Sequence, residues 1–189
     1  MQSDTSGGDQ RRLRTLEAWA DTLVPGAKRW PDDRAIAGAA AGPGAVEAGA
    51  VELLETPATG VSDGLDGLVK ALNDHAEAWA ASHGVTIDDS VPAFVALSYA
   101  DRTAVVRMLI APDHPEKDIW ILVALFCFMA FDTAAHMRTV DAIATGHPGL
   151  TAMGFAKPDA DGLWRFPDFS YRKQLASLHP GTTSAGDPA

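Results

Sequence analysis

From Arg11 onward, Leu13, Leu16, Ala20, Leu23 and Val24 recur at the spacing of one helix face, and Pro25-Gly26 stops the pattern just past its last turn. A first helix is expected there, preceded by a polar, loose arm over residues 1–10. The stretch from Arg34 to Leu54 is rich in Ala and Gly and is interrupted at Gly42-Pro43-Gly44, so it reads as two short helices around a turn. Its small side chains allow neighbouring backbone to come close. Asp63 is placed to cap the next helix, whose apolar stripe runs through Leu65, Leu68, Val69, Leu72, Ala76 and Trp79 until Gly84 ends it.

Ser98-Tyr99-Ala100-Asp101 has the form of a capping box, which predicts a helix start at Tyr99 and a core face of Val105, Val106, Leu109 and Ile110. Pro112 and Pro115 force a turn. From Glu116 to about Ala144 the pattern predicts a long helix, apolar nearly all round in its first half and therefore central and surrounded by neighbours. Beyond Gly146, repeated Gly and Pro punctuate a segment holding Phe155, Trp164, Phe166, Phe169 and Tyr171. No stretch alternates with period two. The expected fold is all-α, a helical bundle around a central apolar helix: one domain over residues 11–178, with an irregular, extended aromatic arm over 146–178 and a disordered tail over 179–189.

A chain of 189 residues with 47% apolar and 21% charged residues is sufficient for one core. Its net charge of −10 argues against nucleic acid or an anionic membrane as a main partner. The longest apolar run, Ile119 to Phe131, falls short of the roughly 20 residues a membrane-spanning helix needs. Cys127 has no second cysteine to pair with. Arg11-Arg12-Leu13-Arg14 has the look of a twin-arginine export signal, but Glu17 and Asp21 interrupt the stretch that should be apolar, so a cytoplasmic location is expected.

Candidate chemistry is sparse. Gly60-Val61-Ser62-Asp63-Gly64 matches the hydrolase nucleophile elbow in letters, but no apolar strand precedes it, and Ser62-Asp63 reads as a helix cap. Gly42-Pro43-Gly44-Ala45-Val46-Glu47 lacks the third glycine of a dinucleotide fingerprint, and Asp159-Ala160-Asp161-Gly162 lacks the rest of a calcium loop. Asp132 and His136 stand four apart on the expected long helix, a spacing that suits an acid–base pair or two metal ligands, with His75, His114 or Asp141 as conceivable third donors. The bland alternative is that Asp132 orients His136 where the helix turns polar. No cofactor of its own is expected by any standard motif. The arm's rings, Phe155, Trp164, Phe166, Phe169 and Tyr171, must be covered either by the chain's own core or by a partner protein.

Leu16-Glu17-Ala18-Trp19-Ala20-Asp21-Thr22-Leu23-Val24-Pro25-Gly26, the Ala/Gly-rich pair that follows, and Phe94-Val95-Ala96-Leu97-Ser98-Tyr99-Ala100-Asp101-Arg102 together resemble the small-subunit family of gluconate 2-dehydrogenase, subunit 3. Gly154-Phe155-Ala156-Lys157-Pro158, Gly162-Leu163-Trp164 and Ser170-Tyr171 extend the resemblance, which runs from about Arg11 to Leu178. It implies a helical accessory subunit of a large FAD-dependent oxidoreductase of the glucose-methanol-choline type. In that arrangement the partner holds the FAD and performs the chemistry, while the small subunit assists folding and often export. The chain departs from the family in lacking its twin-arginine leader, which implies a cytoplasmic relative, and no catalytic residue carries over. Two further readings stand beside it: a stand-alone enzyme or small-molecule-binding protein of secondary metabolism using Asp132 and His136 in a pocket between helices, and a homo-oligomeric scaffold.

Overall fold

The computed structural model describes residues 3–155 and residue 181, and every regular element among them is helical. In chain order these are α1 (Ser3–Leu23), α2 (Ala50–Glu55), two 3-10 turns (Pro57–Thr59 and Ser62–Gly64), α3 (Leu65–His83), α4 (Ala93–Ala96), α5 (Tyr99–Leu109), α6 (Lys117–Thr133), α7 (Thr139–Thr145) and α8 (Pro148–Ala152). The all-α expectation holds. No helix among the described residues is long and apolar enough to cross a membrane. Trp164, Phe166, Phe169 and Tyr171 lie outside the described residues, as does most of the expected arm and tail.

The hub of the bundle is α1 rather than the apolar α6. Residues 15–22 of α1 are buried on every side, and the helix packs against α2, α3, α4, α5 and α6. Trp19 sits at the centre, its ring 5.3 Å from that of Trp120 and 6.4 Å from that of Phe94. Around it lie Leu54, Leu65, Val105, Leu109 and Cys127, all fully buried. Burial pushes the Cys127 thiol up to about 12, so it stays protonated and unreactive in the folded chain. The expected start of the fold at Arg11 is also revised: α1 begins at Ser3, and its exposed residues 7–11 extend the helix beyond the part that the core covers.

Of the two helices expected between Arg34 and Leu54 only α2 forms, and polar side chains hold the irregular segment before it, residues 25–49. Asp21 accepts the Gly26 N–H through Oδ1 (3.1 Å) and the Ala37 N–H through Oδ2 (2.8 Å). Burial raises its carboxyl pKa, with these two N–H groups and Arg102 opposing. Arg102 reaches in from α5 and donates to four carbonyls: Phe94 (3.0 Å), Ala35 (2.8 Å), Arg34 (2.7 Å) and Val95 (2.5 Å). Burial lowers the Arg102 guanidinium to about 10, still charged at neutral pH. Gly26 and Gly44 lie against each other so closely that a Cβ on either would stand 2.6 Å from the other's backbone nitrogen, which is the close approach expected of this small-residue stretch.

Two helix starts follow different local rules. Ser98 caps α5 as expected, accepting the Asp101 N–H at 3.2 Å while its hydroxyl donates to the Asp101 carboxylate at 2.6 Å. Asp63 does not cap α3; it lies in the 3-10 turn ahead of the Gly64 N-cap, which makes no side-chain cap bond.

The largest revision is at the end of α6. The expected helix to Ala144 stops at Thr133, because Ala134 turns left-handed at φ 50° and the chain re-enters as α7. The stop comes from tertiary packing: α8 presses its backbone onto the end of α6, with a Cβ on Gly149 falling on the Phe131 carbonyl and 2.8 Å from its carbon. Gly149→Ala should therefore lower stability by about 1–3 kcal/mol, as overpacking against rigid backbone does, measured as a shift of the urea midpoint. An unchanged midpoint would mean α8 is not docked there.

Candidate functional site

One face of α6 completes the core through Trp120, Val123, Ala124, Cys127 and Ala130. The other face is apolar too, and it is open. Ile121 (46% exposed), Leu122 (36%), Leu125 (48%) and Phe128 (43%) form a stripe at one-, three- and four-residue steps, about 10 Å along the helix. Met137, Val140 and Met153, past the end of α6, are exposed as well, as is Phe155 (52%). Single exposed apolar residues are ordinary, but a run of large ones on one helix face marks an interaction surface. All-round apolarity of α6 had implied burial on all sides. It reflects instead a helix with one face in the core and one face that is exposed and has no packing partner among the described residues.

Of the five arm residues expected to meet a partner, Phe155 is exposed at the edge of the described chain, and the other four lie outside it.

Asp132 and His136 do not share a helix face, because α6 ends between them. No hydrogen bond joins them, and Asp132 Oδ1 and His136 Nδ1 are each buried without a hydrogen-bond partner. The His136 ring lies over Gly49, where a Cβ would stand 2.5 Å from Cε1, and Gly49 itself is left-handed (φ 83°). Only glycine suits that position. Next to it, His147 caps α8 by accepting the Leu150 N–H through Nδ1 (3.3 Å), so Nε2 carries the hydrogen and donates to the Ala48 carbonyl at 3.0 Å. The two imidazoles are 5.7 Å apart. They pin α7 and α8 onto the start of α2.

Burial, and then the neighbouring His147, holds the His136 pKa below its usual value, with Glu52 opposing. The folded chain thus binds fewer protons at this ring than the unfolded chain does, and the associated stability is lost as pH falls through about 6.5. His136→Gln should flatten the rise of stability between pH 5 and pH 7, read from urea midpoints at each pH. An unchanged slope would show that the ring does not control it.

Three of the clefts that indent the surface border α1 or residues 26–37, and neither Asp132 nor His136 lines any of these three. One of about 390 Å³ lies between α1, residues 26–47 and α2, walled by Leu13 and Val46 and ringed by Glu17, Arg29, Glu52 and Glu55. Its one cation is already engaged: Arg29 grips Glu17 through two bonds (2.5 and 2.9 Å) and Asp33 through a third (2.6 Å). Burial works to raise the Asp33 carboxyl pKa, but Arg29 and the Ile36 and Ala35 N–H groups outweigh it and hold the value low. This is a fastening of residues 29–36 to α1.

The suggested third donors for Asp132 and His136 also go elsewhere. His75 and His114 converge with Glu116 beside the Trp120 ring, and Asp141 is exposed in the first turn of α7.

Residues 10–189 match a family described as of unknown function, DUF5987. The chain belongs to that family. No curated protein and no solved structure matches this DUF5987 member. The segments of its sequence with the clearest pattern, Leu16 to Gly26 and Phe94 to Arg102, supply Trp19, Asp21, Gly26 and Arg102, which build the scaffold. The exposed stripe on α6 lies outside both.

Proposed function

We propose that this protein is a non-catalytic helical accessory subunit that docks on a larger oxidoreductase through the open face of α6. The observation that carries the proposal is the stripe of Ile121, Leu122, Leu125 and Phe128, large apolar side chains presented on a well-packed helix. A catalytic reading is less well supported, because the clefts described above do not reach Asp132 or His136 and the acidic cleft has its arginine already paired. The resemblance of Leu16 to Gly26 and of Phe94 to Arg102 to the gluconate 2-dehydrogenase small-subunit family suggests the partner's class: an FAD-dependent enzyme of the glucose-methanol-choline type, with the flavin on that partner. The net charge of −10 favours a partner whose apolar hollow is rimmed by Lys and Arg.

Docking would supply the large subunit with a pre-folded apolar face, covering surface that it would otherwise expose while folding. Co-expression with a glucose-methanol-choline type flavoenzyme of the same organism, followed by size exclusion, tests the proposal. A common peak and dependence of flavoenzyme yield on this chain are expected. Separate peaks together with full flavoenzyme activity in its absence would overturn it.

The second reading, a stand-alone enzyme, draws on the two buried polar atoms without partners, Asp132 Oδ1 and His136 Nδ1. Turnover of a metabolite by the purified chain, abolished by His136→Ala, would favour it.

A further inference from the structure

We infer that His75, His114 and Glu116 form a binding site for one divalent transition-metal ion, with zinc the best match to the donor set. A donor atom from each residue lies within 4.8 Å of the other two. His75 comes from the middle of α3, while His114 and Glu116 come from the turn that leads into α6, so the three meet only in the folded chain. Two imidazoles and one carboxylate are the ligand set of open zinc sites, and imidazole nitrogen selects zinc, nickel or copper over magnesium and calcium.

The site is built as well as assembled. The turn from Ile110 to Glu116 is held by its own backbone, the His114 N–H donating to Ala111 O (3.0 Å) and the Lys117 N–H to His114 O (3.1 Å). Glu116 Oε2 accepts from His75 Nε2 (2.8 Å) and from the indole N–H of Trp120 (3.0 Å), and Trp120 is itself locked against Trp19 in the core. That indole is the outer-sphere partner which typically orients a metal-binding carboxylate. Glu116 Oε1 accepts no hydrogen bond among the described residues. The His75 and His114 rings meet edge to face at 5.5 Å.

Metal bonds of about 2.0–2.2 Å place tetrahedral ligand atoms roughly 3.3–3.6 Å apart. The 2.8 Å His75–Glu116 separation must open by about 0.5 Å to enter that range, and a donor at the 4.8 Å limit must close by about 1 Å. Two hydrogens are in the way. His75 Nε2 must give up the one it shares with Glu116, and His114 Nδ1 must release the Glu116 N–H it now accepts at 3.2 Å. Ion binding therefore moves the His75 hydrogen from Nε2 to Nδ1 and exchanges local hydrogen bonds for coordinate bonds. The half-exposed carboxylate leaves a fourth position to water. The bound ion would fasten the N-terminus of α6, the helix that carries the open stripe, to α3.

The test uses tag-free, chelator-stripped full-length chain titrated with ZnCl₂ by calorimetry, and with CoCl₂ by visible absorption. One ion per chain at micromolar affinity is expected, with no competition from excess MgCl₂. Saturating zinc at about 100 times Kd should raise Tm by about 5–10 °C. His75→Gln, His114→Gln and Glu116→Gln should each weaken binding by about 10–100-fold, while His83→Gln, on the exposed end of α3, should not. Affinity no better than millimolar would overturn the assignment. So would wild-type affinity in the three variants, whose folding is checked by circular dichroism. Because the metal is measured on the isolated chain, a negative result here leaves the docking proposal standing, and separate elution from a flavoenzyme leaves this one standing.

Discussion

Replacing Leu125 and Phe128 together with glutamate should abolish co-elution with the flavoenzyme and leave the isolated chain as stable as before. Both side chains are nearly half exposed, so the folded monomer gives up little by losing them. At an interface the same two positions, one turn apart on α6, would sit in the desolvated centre of the contact. Truncation of a central apolar anchor commonly weakens binding by 2 kcal/mol or more, about 30-fold, so two such losses come to about 10³-fold if they add. Each new carboxylate adds the difficulty of burying a charge. The readouts are size exclusion of the complex and urea unfolding of the variant alone. Intact co-elution would place the interface elsewhere. A large drop in stability would show that the stripe is covered within the chain.

Arg102→Met should have the largest effect on the fold. The guanidinium satisfies four carbonyls on two segments, residues 34–35 and 94–95, and it is the cation nearest to the buried Asp21. Methionine fills much of the volume but donates nothing, so the carbonyls lose their partners and Asp21 loses its compensating charge. Breaking such a buried network costs about 3–5 kcal/mol, a large fraction of a domain's total stability. The loss should be visible as a lower urea midpoint and as faster exchange of the Ala37 amide, which Asp21 holds at 2.8 Å. A midpoint within about 0.5 kcal/mol of the parent would mean the arginine is ornamental, as most exposed positions are.

The parts of the fold that sequence periodicity anticipated are those governed by neighbours a few residues away. The stripe of α3, its glycine stop at Gly84 and the capping box of α5 are all present where local chemistry puts them. Other features depend on distant residues. Thr15, Glu17, Asp21 and Thr22 make the middle of α1 look half-polar in hydropathy, yet their bonds to Arg11, Arg29, Gly26, Ala37 and Ala18 let it be buried all round. The apolar α6 misleads in the opposite sense, because hydropathy cannot distinguish a buried face from one kept open. Ala134 carries no signal for a left-handed stop; that signal is in Gly149, fifteen positions later, whose missing side chain admits the end of α6. The pairing of Asp132 with His136 fails for the same reason. His75, His114 and Glu116 were separately visible as potential donors only in part, since 39 residues separate the two histidines and only the packing of α3 against the turn before α6 unites them.

Cys127 has one further consequence. It is the chain's sole thiol, it has no surface of its own, and its proton is held tightly. An alkylating reagent can reach it only when α6 lifts away from Trp19 and the rest of the core, so the rate of modification counts excursions of the whole core into the open state. Nature has thus left a chemical clock inside the helix whose outer face is the proposed contact, and any molecule that clamps α6 in place should slow it.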